Sequence, residues 1–146
     1  MKTNILIMLL VFFLTIGVVT AIEIDDFKVP TGFGNLNNGI ALDTSDSDTY
    51  LYVEKITDNS YFESDPNDGY AVSKLDDEMY VFVDTVTKEA GVQEKVEVDG
   101  DYYLVSVSKA NWENSANNPE DVDKMQSFRL ALEEFNSDNN LKPIVV

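Results

Sequence analysis

Val92–Lys109 reads VQEKVEVDGDYYLVSVSK, two runs of strand-forming residues joined by Asp99-Gly100. Asp-Gly between such runs is a strong short-range signal for a hairpin with a two-residue turn. That turn sets the register, with Val98 opposite Asp101, Val96 opposite Tyr103, Glu94 opposite Val105 and Val92 opposite Val107. Successive strand side chains alternate between faces, so these eight residues share one face. Val92, Val96, Val98, Tyr103, Val105 and Val107 then form an apolar patch. Glu94 is the discordant member, and its position predicts a bulge that rotates it out or a place at a sheet edge.

Working outward, Tyr50–Ile56 (YLYVEKI) and Met79–Val86 (MYVFVDTV) are dense in strand formers. The second is apolar on both faces, as in a strand covered on two sides or central in a sheet. Ala90-Gly91 interrupts the chain between Met79–Val86 and the hairpin. Upstream, Ile24–Val29 alternates loosely before Pro30 and reads as a first strand. Ile40–Leu42 is a short apolar element, and Asp65-Pro66-Asn67-Asp68-Gly69 is a turn. Tyr70–Leu75 reads as a short helix.

Downstream, Asn118 can cap a helix, Pro119 suits its first position, and Glu120 and Asp121 suit the positive end of its dipole. Val122, Met125, Phe128, Leu132 and Phe135 follow at steps of three or four, the apolar stripe of an amphipathic helix. Asn136–Asn140 stops it, and Leu141–Val146 is a final short strand or a tail. The stripe and the hairpin patch are natural partners. The fold class is therefore α+β: one domain, an antiparallel sheet of about five strands with the C-terminal helix packed on one face.

The N-terminus carries an address. Lys2 precedes Ile5–Val19, a run with no charge or amide, and Val19-Thr20-Ala21 matches the exit pattern of a secretory leader. Residues 1–21 are thus a signal peptide, cleaved or retained as a membrane anchor. The apolar run from Ile5 to Ile22 sits at the lower edge of what spans a bilayer. Residues 22–146 form a single acidic extracytoplasmic domain, secreted or tethered by that segment, which is then its only membrane contact. With no cysteine near Ala21, there is no lipid-anchor motif.

Composition excludes much chemistry. The 146 residues contain neither His nor Cys. Nucleophile systems built on imidazole or thiol are absent, as are thiolate and imidazole metal sites. No phosphate-cradling glycine motif occurs, and no acceptor for N-glycosylation is present. The chain holds 27 acidic and 10 basic residues, a net charge of −17. Removing Lys2 with the leader leaves 9 bases and a net charge of −18. Such a surface repels nucleic acid and anionic lipid. Arg129 is the sole arginine, so bidentate recognition of phosphate is disfavoured.

Three chemistries remain open. Paired carboxylates could hydrolyse a glycoside, with Glu94 the best acid–base candidate because its sidedness implies burial. Oxygen-rich loops could hold calcium: Asp43, Asp46 and Asp48 in one, Asp65, Asn67 and Asp68 in another, with Asp76 nearby. The EF-hand pattern fails, since a loop starting at Asp65 needs glycine where Tyr70 stands. Tyrosines and Trp112 beside amides could form a sugar or peptide platform, because their rings stack while their polar tips hydrogen-bond. Tyr50 and Tyr52 share one strand face, as do Tyr80 and Phe82.

Three segments carry a resemblance: Phe27-Lys28-Val29-Pro30-Thr31-Gly32-Phe33 after the leader, the hairpin Val96–Val107, and Phe135-Asn136 running to Asn140-Leu141-Lys142-Pro143-Ile144. The layout resembles small exported proteins of unknown function from methanogenic archaea, and the opening followed by sheet and closing helix is similar to PsbP/DcrB-like α+β domains. The resemblance implies a non-catalytic domain outside the cytoplasm that assists a larger assembly, and it brings no catalytic residues. The expectation is a non-enzymatic exported protein with an envelope protein or glycan partner and no resident cofactor. The alternatives are a calcium-dependent adhesion module and a carboxylate-based hydrolase of envelope polysaccharide.

Overall fold

The Asp99-Gly100 hairpin forms in the register its turn chemistry predicts: Val98 pairs with Asp101, Val96 with Tyr103, Glu94 with Val105 and Val92 with Val107. Asp99 and Gly100 both have positive φ (51° and 83°), as a type I′ turn requires. These positions come from a computed structural model, which describes residues 23–57, 64–112 and 119–145. The leader, residues 1–21, and the capping residue Asn118 lie outside the described residues, as do the side chains of residues 119–122.

Around the hairpin strands β5 (Glu89–Val98) and β6 (Asp101–Lys109) the sheet grows in both directions. On the β6 side lie β2 (Thr49–Ile56) and then β1 (Ile40–Leu42). On the β5 side lie β4 (Met79–Asp84) and then β3 (Tyr70–Lys74). The order is β1-β2-β6-β5-β4-β3, and every neighbouring pair is antiparallel. A two-residue strand, β7 (Lys142–Pro143), pairs with Val96 and Glu97 of β5 beyond the end of β4. Seven strands are thus present among the described residues, where the sequence predicts about five.

Three local expectations are corrected. Ile24–Val29 is not a strand; Ile24–Asp26 is a 3-10 turn. The Asp25 carboxylate accepts from the backbone N–H groups of Asn38 and Gly39, which anchors the turn at the start of β1. Phe27 then drops into the core, edge-on to Tyr103 and Phe135 at 5.5 and 5.8 Å. Tyr70–Leu75 is not helical, because Tyr70–Lys74 pairs with β4 through Val72↔Phe82 and its neighbours. Ala90-Gly91 does not interrupt the sheet. The chain turns at 85–88, with Lys88 at φ 56°, and β5 runs on through both residues.

The C-terminal helix, α1 (Pro119–Asp138), lies on β5 and β6. Phe128, Leu132 and Phe135 are buried against Leu51, Val53, Val92, Val96, Tyr103, Val105 and Val107. This is the pairing of stripe and patch that their periodicities predict. Both outer strands are capped rather than bare, which protects an edge from adding a foreign strand. Gly34 and Asn37 donate backbone N–H groups to Leu42 and Ile40 of β1. The Val72 N–H of β3 donates to Ser64 Oγ at 3.0 Å. Among the described residues no helix is long and apolar enough to cross a membrane.

Candidate functional site

The register fixes what faces away from α1. Tyr52 of β2 pairs with Ser106, Ser106 with Gln93, Gln93 with Tyr80, and Tyr80 with Lys74. One row over, Tyr50 pairs with Ser108, Ser108 with Gly91, Gly91 with Phe82, and Phe82 with Val72. Directly paired residues share a face. Five of the six described tyrosines (Tyr50, Tyr52, Tyr70, Tyr80 and Tyr102) therefore stand on the face opposite the helix. Tyr103 is the exception and belongs to the core, and so does Trp112, which packs on Phe128 of α1 rather than joining a tyrosine platform. The sequence places Tyr50 with Tyr52 and Tyr80 with Phe82. It cannot unite the two pairs, because that depends on strand order.

Tyr50, Tyr52 and Tyr70 are fixed by polar partners. Gln93 Nε2 donates to the Tyr70 hydroxyl at 2.6 Å, so Tyr70 reaches from β3 across β4 to β5. Tyr50 reaches from β2 across β6, where its hydroxyl bonds the Glu89 carboxylate, which also accepts from Ser108 Oγ at 2.9 Å. The Tyr52 hydroxyl donates to Glu54 Oε2 at 3.1 Å. Burial pushes the Tyr50 phenol up to about 12, helped by the Glu89 carboxylate. Tyr52 and Tyr70 are raised chiefly by burial as well. All three are neutral hydroxyls at physiological pH, able to donate and accept. Gln93, Ser106 and Ser108 are buried on the floor between them, while Tyr50, Tyr52, Tyr70 and Tyr102 remain half-exposed. Ile40 and Leu42 extend the face at β1 and are exposed.

This face differs electrically from the rest of the molecule. Its acids are Glu54, Asp84, Glu89 and Glu97, and its bases are Lys74, Lys95 and Lys142. Four acids against three bases leave a net of −1 on this face, compared with −17 for the chain. The face is a nearly neutral polar–aromatic window in an acidic coat.

The acidic loops are built differently. Asp43 Oδ1 accepts from both the N–H and Oγ of Ser45. Asp46 turns to Lys109 (2.5 Å), which with backbone and Thr49 bonds holds its carboxyl below the usual range. Asp48 follows it, giving its N–H to Asp46 Oδ1. Asp43 and Asp46 line a cleft of about 200 Å³ between this loop and α1, with Lys124 and Phe128 on the helix side. In the second loop Asp65 Oδ1 accepts from the Asn67 N–H, and Asp68 lies in the 3-10 turn Pro66–Asp68. Asp76 caps the turn before β4, accepting from the N–H groups of Glu78 and Met79. Among the described residues, no three acidic side chains converge as a metal-binding group.

Glu94 corrects the sequence reading in another way. It neither bulges out nor sits at an edge. It pairs in register with Val105 and Met79 and is 3 % exposed beneath α1. Asn136 Nδ2 donates to its Oε1. Burial raises its carboxyl to about 8, and the nearby acids Glu78, Asp76 and Glu133 push the same way. The proton-donor pKa of a general acid is present, but the group is sealed under a helix.

No family model, curated protein or solved structure matches this chain.

Proposed function

We propose that the protein is an exported, non-catalytic binding protein whose contact surface is the tyrosine face and whose partner is an uncharged glycan of the cell envelope. The observation that carries this reading is the gathering of five tyrosines, interleaved with Ser106, Ser108 and Gln93, on one sheet face. Tyrosine offers a rigid stacking ring and a polar tip with little rotamer entropy to lose. Sugars present flat C–H faces rimmed by hydroxyls, the complement of that pattern. Charge narrows the choice. An anionic polymer is repelled by the coat, and a cationic one finds more acids elsewhere than here. The missing imidazole and thiol, together with the leader-like residues 1–21, support an extracytoplasmic role in holding rather than converting its partner.

The test is a two-dimensional NMR titration with neutral β-linked oligosaccharides, and with an uncharged peptide of similar length. Shifts confined to β2, β6 and β3 on adding the sugar, abolished by Tyr52→Ala and Tyr70→Ala in folded protein, are expected. Binding of the peptide alone, shifts confined to α1, or release of reducing ends from the sugar would each overturn the reading. Export is checked separately by intact mass from the native host, where a start at Ile22 or at Met1 distinguishes release from tethering.

A further inference from the structure

Glu94 and Asn136 meet in the apolar layer between sheet and helix, 3 % and 5 % exposed respectively. Asn136 Nδ2 donates to Glu94 Oε1, while Asn136 Oδ1 is buried with no hydrogen-bond donor among the described residues. A carboxylate has nothing to offer that oxygen. A carboxylic acid has an O–H, and acid and amide are complementary: the acid carbonyl accepts from the amide N–H while the acid hydroxyl donates to the amide oxygen. Leaving a buried acceptor bare is costly, so the protonated form satisfies an atom that the ionised form cannot.

We propose that Glu94 is carried in the folded protein as the neutral acid, closing a two-bond pair with Asn136 that pins the last turn of α1 to β5, and that loss of this proton unlatches the helix end. The position of Asn136 suits a latch. Its carbonyl accepts the Leu141 N–H, where the chain leaves α1 for β7, and the Ile144 N–H then donates to the Lys95 carbonyl beside Glu94. A movement of Asn136 is therefore transmitted to β7.

The charged groups around Glu94 favour the proton. Asp76 and Glu78 face it from the turn before β4, and Glu133 faces it from α1. Arg129 of α1 is engaged by Asp76 Oδ2 and Glu133 Oε1, both at 3.1 Å. β4 and β6 present Met79 and Val105 at the paired positions. Lys95, the next residue of β5, projects from the opposite face by strand alternation. Burial and the three acids raise the carboxyl to about 8, so the latch is closed at neutral pH and opens in an alkaline medium.

The experiment compares the full chain with Glu94→Gln, which keeps the shape and both hydrogen bonds but cannot ionise. The Glu94 carboxyl carbon is followed by NMR from pH 4 to 10, and amide exchange of α1 is measured at pH 6 and pH 9 and corrected for its intrinsic pH dependence. The carboxyl is expected to titrate above pH 7. Protection of residues 132–138 should fall at least tenfold relative to β6 between the two pH values, and Glu94→Gln should hold it constant. A Glu94 carboxyl that titrates below pH 6, or equal loss of protection in Glu94→Gln, overturns the proposal. Should the variant fail to fold, the carboxyl titration of the unaltered chain decides alone.

Discussion

Gly91 and Ser108 face each other across the two central strands, where a β-carbon at position 91 would lie 2.3 Å from the Val107 carbonyl oxygen and 2.6 Å from Ser108 Cα. Those atoms are backbone in the most constrained part of the sheet and cannot step aside. Gly91→Ala should therefore cost about 2–4 kcal/mol in urea unfolding, an overpacking penalty; a loss under about 1 kcal/mol would show that the strands separate easily. Gly100→Ala is the contrast. Among the described residues nothing beyond its chain neighbours lies within 4 Å of a β-carbon added there, so only the φ of 83° is strained, and about 1 kcal/mol is expected. The two glycines also mark what was legible. Gly100 acts through its own backbone and its neighbour Asp99, and local turn chemistry is written locally. Gly91 acts through a strand seventeen positions away, so from sequence alone it reads as a break. Glu94 is similar: alternation places it inward, but only Asn136, 42 positions on, explains how a carboxyl is tolerated there.

Elements divide along the same line. The hairpin and α1 carry their own periodicity and turn signals, and both form where the pattern places them. The short strands β1, β3 and β7 have three, five and two residues, too few for a period to be read. Each exists because a longer neighbour offers a ladder. Tyr70–Lys74 shows the cost of judging alone: a helix by local composition, a strand once Phe82 and its neighbours are beside it. The tyrosine face was legible in halves for this reason, two faces on two strands but not their union. For α1 the expected energetics are sharp. Leu132 is fully buried and Leu130, two positions before, is 56 % exposed. Leu132→Ala should destabilise by about 3 kcal/mol, transfer plus cavity, and Leu130→Ala by less than about 0.5 kcal/mol. Equal effects in chemical denaturation would mean that α1 docks by another face.

For the whole molecule the governing quantity is charge. A chain of net charge −17 repels itself when compact. Two pH effects then act in the same direction. Glu94 has its folded pKa raised above its unfolded value, so its stabilising protonation is fully present below about 4.5 and is lost as pH rises to about 8. Glu94→Gln should flatten that part of the stability profile without touching the general repulsion. Salt screens that repulsion and also the few ion pairs such as Arg129–Asp76, but at a net charge of −17 the repulsion dominates. Between about 0.01 M and 0.1 M the screening length shrinks from roughly 30 Å to roughly 10 Å. Sodium chloride over that range should therefore raise the melting temperature, by roughly 3–8 °C if screening recovers about 1–2 kcal/mol. The same series separates screening from a specific calcium site at Asp43, Asp46 and Asp48 or at Asp65, Asn67 and Asp68. At matched ionic strength, calcium a hundredfold above its dissociation constant would add about 2.7 kcal/mol, whereas screening makes calcium and sodium nearly equivalent. Asp46 is already neutralised by Lys109, and the Asp43 and Asp65 oxygens already bond their own loops. Near-equivalence is the expected outcome, and a calcium-specific rise abolished by Asp43→Asn would instead establish the loop as a cation site.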